Sequence, residues 1–129
     1  MDANMRSIAA IILLALAGSA QAMGAECDGS GNQTELNACA AREYGASDVL
    51  LNQTYRKVTA DLGLHPQSKR DAGLLTTAQR AWLTFRDAHC VLVGNAYDGG
   101  SVQPLVVNTC LSEITLQRVK QLETILGGP

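Results

Sequence analysis

Gln79-Arg80-Ala81-Trp82-Leu83-Thr84-Phe85-Arg86-Asp87-Ala88-His89-Cys90 holds the only tryptophan, the only phenylalanine and one of the four cysteines of a 129-residue chain. Ala78, Trp82, Phe85 and His89 recur at i, i+4, i+7 and i+11, so a helix stacks them along one face. With so few aromatic residues, the core is expected to centre on this segment, with Trp82 and Phe85 as its anchors. Arg80, Leu83 and Asp87 lie round the cylinder from that stripe. Arg86 and Cys90 sit at its edge, within reach of a neighbouring helix.

On the N-terminal side, Asn32-x-x-Glu35 reads as an N-cap with a reciprocal glutamate, the start of a first helix. Leu36, Cys39, Ala40, Leu50, Leu51, Tyr55, Val58 and Leu62 then recur at spacings suited to one helical face. Gly45 interrupts this run, where close packing or a slight bend is expected at a cost of about 1 kcal/mol relative to alanine. Gly63-Leu64-His65-Pro66 ends the helix, because the residue before proline is pushed out of the α region. Ser68-x-x-Asp71 reads as the N-cap of a second helix reaching about Ala96. Tyr97-Asp98-Gly99-Gly100-Ser101 is a turn whose adjacent glycines allow positive φ. Pro104 suits the first turn of a third helix. Leu105, Val106, Cys110, Leu111, Ile114, Leu122 and Ile125 carry that helix to Gly127-Gly128.

The first residues read as an address. Arg6 supplies a positive charge, Ile8 to Ala17 an apolar run, and Ala20-Gln21-Ala22 a cleavage site, so residues 1–22 are expected to be a cleaved signal peptide. The apolar run is shorter than the twenty or so residues that span a bilayer. Residues 23–129 are then one exported domain, close to the size at which a hydrophobic core alone is marginal.

Export changes the meaning of the cysteines. Cys27, Cys39, Cys90 and Cys110 are an even number in a small secreted chain, which implies two disulfides. Their wide, uneven spacing disfavours a zinc site. Short loops between three helices favour antiparallel neighbours, giving an all-α three-helix antiparallel bundle stapled by two disulfides. Folding the helices about His65 and Gly100 gathers Cys39, Cys90 and Cys110 at one end. That register favours Cys27–Cys90 with Cys39–Cys110, and Cys27–Cys110 with Cys39–Cys90 is nearly equivalent.

Little in the chain points to catalysis. The net charge of −2 is mixed along the sequence and offers no basic stripe for nucleic acid or for a membrane surface. His65 and His89 fall at opposite ends of the bundle, so neither a shared metal site nor a cysteine–histidine couple is expected. Carboxylates are more numerous, but a compact domain leaves little room for the paired carboxylates of a glycosidase. Asp48 is read as the partner of Arg86 or Arg80, since a partly buried charge needs compensation. Asn52, Tyr55 and Gln79 join it as a structural polar group fixing helix register. The loop Tyr97, Asp98, Gly99, Gly100 and Ser101 is the segment shaped for recognition of a partner, with a plain tight turn as its alternative.

The series Cys39-Ala40, Tyr44, Asp48-x-x-Leu51-Asn52-x-x-Tyr55, Gln79-Arg80-Ala81-Trp82, Phe85-Arg86-Asp87-x-x-Cys90, Tyr97-x-Gly99-Gly100-Ser101, Cys110, Thr115-x-x-Arg118 and Leu122 resembles the LprI-type lysozyme-inhibitor domain family. The resemblance covers nearly all of residues 23–129. It implies a small exported helical domain with bonded cysteines; from the residues themselves, neither enzyme activity nor a cofactor is expected. Cys27 follows Ala25-Glu26 and stands far from the apolar run, so a lipid anchor is not expected and the protein would be periplasmic or secreted. The leading expectation is a protein partner, a lysozyme whose substrate cleft the Tyr97–Ser101 loop occludes, with Arg86 or Arg118 assisting if exposed. A structural or stress-response protein binding another envelope component is the alternative. An enzyme acting on cell-wall polymer through Asp48, Asp87 or Asp98 is the weakest reading.

Overall fold

The computed structural model describes residues 27–127. The expected signal peptide, residues 1–22, lies outside them. Three helices follow in order: α1 (Gln33–Gly63), α2 (Lys69–Gly94) and α3 (Gln103–Gly127), with short 3-10 turns at Pro66–Ser68 and Asn95–Tyr97. No helix among the described residues is long and apolar enough to cross a membrane.

α1 begins where the capping box places it. The Glu35 amide donates to Asn32 Oδ1 at 3.1 Å, and the Asn32 amide donates to Glu35 Oε2 at 2.9 Å. Gly31 precedes the cap at φ 106°, a conformation costly for any residue with a Cβ. The helix runs through Gly45 without interruption, and no neighbouring atom lies within 4 Å of where a Cβ would stand, so the expected close packing there is absent. α2 starts differently from the sequence reading. Ser68 makes no side-chain capping bond; the 3-10 turn opened by Pro66 leads straight into the helix.

α1 and α3 run parallel and form the most extensive of the interhelical contacts, while α2 lies antiparallel to both. Aliphatic residues interleaved with small and polar ones make the α1–α3 seam. Ala40, Ser47, Leu51, Thr54 and Val58 are buried on α1, facing Ser112, Thr115, Val119 and Leu122 on α3. Their steps of three, four and seven follow the interval at which a helix returns to the same face. The Ser47 hydroxyl donates to the Glu43 carbonyl at 2.9 Å and lies 2.8 Å from the Ser112 hydroxyl, so both groups are satisfied inside the seam. The buried core itself is aliphatic: Leu51, Val58, Leu75, Val119 and Leu122, with Leu50, Tyr55, Leu62 and Trp82 packed against it from the side.

Two sequence expectations are corrected here. Phe85 is not a core anchor: it is 56% exposed and stacks on His89 with ring centroids 5.2 Å apart. The buried face of α2 is instead Leu75, Gln79, Arg86, Cys90 and Gly94, so the helix is turned by about one residue, or about 100°, from the aromatic stripe. Trp82, half-buried, belongs to both faces.

The second correction concerns the staples. The disulfides are Cys27–Cys39 and Cys90–Cys110, neither of the two expected pairings. Ser47 meets Ser112 across α1 and α3, which sets the Cys90–Cys110 bridge more than a turn along α1 from Cys39. The Cys27 lead-in folds back on the first turns of α1, its amide donating to Glu43 Oε1 at 2.9 Å. The first bridge is therefore local, and the second alone joins two helices, α2 and α3. The close approach of those helices nearby depends on Gly94, where a Cβ would collide with Val107 Cγ2.

Candidate partner-binding site

The loop between α2 and α3 is built on the disulfide-bonded end of the bundle. The Asp98 amide donates to the Asn95 carbonyl at 3.2 Å, the Gly100 amide to the Tyr97 carbonyl at 2.9 Å, and the Gln103 amide to the Gly100 carbonyl at 3.2 Å. Gly99 takes φ 75°, as its place in the turn requires. From α1, Asn37 Nδ2 donates to the Ser101 carbonyl at 2.9 Å and ties the loop to a second helix. Tyr97 is 47% exposed, and Asp98, Gly99, Gly100 and Ser101 are all exposed. Among the described residues, the Tyr97 hydroxyl, the Asp98 carboxylate and the Ser101 hydroxyl make no hydrogen bond. The backbone is thus held while these side chains project without internal hydrogen bonds.

A second feature lies between α1 and α2, a groove of about 440 Å³ lined by Tyr44, Asp48, Asn52, Tyr55, Gln79 and Arg80, among others. Arg86 forms part of its floor and is only 5% exposed. Its Nη1 donates to Asp48 Oδ1 at 3.2 Å and to Thr115 Oγ1 at 3.3 Å, and its Nε donates to Asp87 Oδ1 at 2.9 Å. The Tyr44 and Trp82 rings lie 5.4 Å and 5.2 Å from the guanidinium carbon. Burial pulls the Arg86 proton affinity down, but the hydrogen bond to Asp87, the field of Tyr44 and the bond to Asp48 outweigh it and leave it above the ordinary value. Burial also pushes the Tyr44 phenol up, against the opposing pull of Arg86. Arg118 is lowered by burial, and its Nε donates to Gln79 Oε1 at 3.1 Å.

The expected polar group lies on α1 and α2, and its contacts reach a third helix. Tyr55 reaches Thr76 of α2 at 3.4 Å and Gln79 reaches Arg118 of α3, but Asn52 donates only within α1, to the Asp48 carbonyl at 2.9 Å and its carboxylate at 3.3 Å. Arg86 is buried and holds its partners through Nε and Nη1, and Arg118, half-buried, donates to Gln79 and Gln121. Cys27, Cys39 and Glu43 come within metal-binding reach of one another, but the sulfurs are bonded together and Glu43 accepts the Cys27 amide. Sequence reasoning misses Ser47, Ser112 and Thr115. The signal that could find them is their spacing from Leu51 and Leu122, which continues the apolar face in polar residues.

Fold and staples together define a small, disulfide-bonded helical domain with a held, outward-facing loop. A family model described as "Lysozyme inhibitor LprI" matches residues 25–122, and the chain belongs to that family. The family's description is of an inhibitor, a binding and not a catalytic role. It is similar to "Uncharacterized protein R02472" of Rhizobium meliloti (strain 1021), with 34% identity over 134 residues covering 98% of this chain and 96% of the relative. No solved structure matches.

Proposed function

We propose that this chain is exported and binds a lysozyme, inhibiting it by inserting the Tyr97–Ser101 loop into the substrate cleft. The observation that carries the reading is the loop itself, pinned by Asn37 and the Cys90–Cys110 bridge yet presenting Tyr97, Asp98 and Ser101 with no internal partners. A recognition segment ordered before binding loses little conformational freedom when it docks. The net charge of −2 favours encounter with cationic lysozymes. The family's description supports the same target class.

Adding purified residues 23–129 to a muralytic assay tests the proposal. The expected result is stoichiometric loss of activity at micromolar protein for at least one lysozyme type. Tyr97→Ala and Asp98→Ala should weaken it about tenfold or more, as for a central interface residue, with no change in melting. Undiminished activity across several lysozyme types at micromolar excess would remove the proposal. It would leave the alternative, binding of another envelope component, to be sought by pull-down from periplasm.

A further inference from the structure

α2 carries two stripes, and the bundle uses one of them. Leu75, Gln79, Arg86, Cys90 and Gly94 face α1 and α3 and are buried. Leu74, Ala78, Ala81, Phe85, Ala88 and Leu92 point elsewhere: Leu74 and Phe85 are 56% exposed, Leu92 is 69% exposed, and the three alanines are exposed as well. These six positions follow one another at steps of four, three, four, three and four. That is the 3.5-residue repeat of a coiled-coil seam, kept for about 27 Å of helix. A solvent-facing helix surface has no physical need of it.

The order of residues along the seam says what would cover it. It is palindromic about Leu83. If a second copy is turned about a two-fold axis at that level, antiparallel to the first, Leu74 meets Leu92, Ala78 meets Ala88, and Ala81 meets Phe85. An isologous interface requires this self-complementarity, whereas a different partner would not impose it. The pairing also sets each phenylalanine over the space above an alanine. Charge agrees with it. Of the charged residues of α2, Arg80, Arg86 and Asp87 are turned away from the seam, and Lys69, Arg70 and Asp71 lie beyond its Leu74 end. The neighbours on its solvent side are Thr77, Thr84 and Val91, so a second copy brings no like charges together.

We infer that the chain forms a two-fold homodimer through an antiparallel pairing of α2 with its counterpart, centred on Leu83. The Tyr97–Ser101 loops lie at opposite ends of the paired helices, and the inference does not rest on the lysozyme reading. Analytical ultracentrifugation of residues 23–129 at tens of micromolar is expected to give the dimer mass. Ala81→Glu and Phe85→Lys, each at an exposed position in the single chain, should give folded monomers with unchanged circular dichroism. Mixing the two variants should restore a dimer, because the carboxylate introduced in one copy then faces the ammonium introduced in the other. A monomeric wild-type protein would overturn the inference, as would a dimer indifferent to both substitutions. Failure of the mixed variants to reassociate would overturn the proposed register.

Discussion

Arg86 concentrates what is unusual about this core. A guanidinium sits where an aliphatic side chain would be expected, and it is tolerated because Asp48, Asp87 and Thr115 take its donors while Tyr44 and Trp82 flank it. Arg86→Ala strands those partners and should lower unfolding stability by about 2–4 kcal/mol. The lower part of that range applies because Asp48 and Asp87 still reach water. Arg86→Lys should recover only part of the loss, since an ammonium lacks the planar fork. Denaturant titration measures both. Phe85→Ala, by contrast, should change the stability of the isolated monomer by no more than about 0.5 kcal/mol, as for an exposed site. Tyr44 adds a pH dependence. Its folded pKa is raised from 10.0, chiefly by burial, so its contribution is intact below that value and is lost as pH rises through the higher folded pKa. Stability measured from neutral to strongly alkaline pH should fall less steeply for Tyr44→Phe than for wild type. Helix register in the sequence suggests an Asp48–Arg86 contact, but not that Arg86 is more buried than Phe85. Residue type misleads there, because the rotation of α2 is set by the Cys90–Cys110 bridge and the aliphatic core, not by its aromatic residues.

Helix ends are more legible than helix faces. The Asn32–Glu35 box, the stop near Pro66 and the Gly99–Gly100 turn are local devices, each working through hydrogen bonds or φ preferences within a few residues. Facing depends on partners distant in sequence, so spacing alone puts Leu50 and Tyr55 in the stripe of α1 while Ser47 and Thr54 hold the buried positions. The same distinction separates two glycines. Gly45→Ala, exposed in mid-helix with space around it, should stabilise the protein by about 0.5–1 kcal/mol. Gly94→Ala should destabilise it by about 1–3 kcal/mol, because Val107 must move aside, as in overpacking of a tight contact. Thermal melts of the two single variants should shift in opposite directions.

At the scale of the whole molecule, cohesion is uneven. The seam of Ser47, Leu51 and Val58 against Ser112, Val119 and Leu122 closes α1 onto α3 by packing, while a bridge closes α3 onto α2. Amide hydrogen exchange should accordingly be slowest around Leu51, Val58 and Leu122 and fastest at the lead-in and the α1–α2 connection, where few groups are buried. Because each disulfide stays on its own side of Leu64-His65-Pro66, the polypeptide consists of two covalently independent portions joined by one strand of backbone. A protease that nicks that connection would yield a particle that survives gel filtration yet falls into two bands on a denaturing gel run without reductant. Either crosswise pairing of the cysteines would have kept it as one.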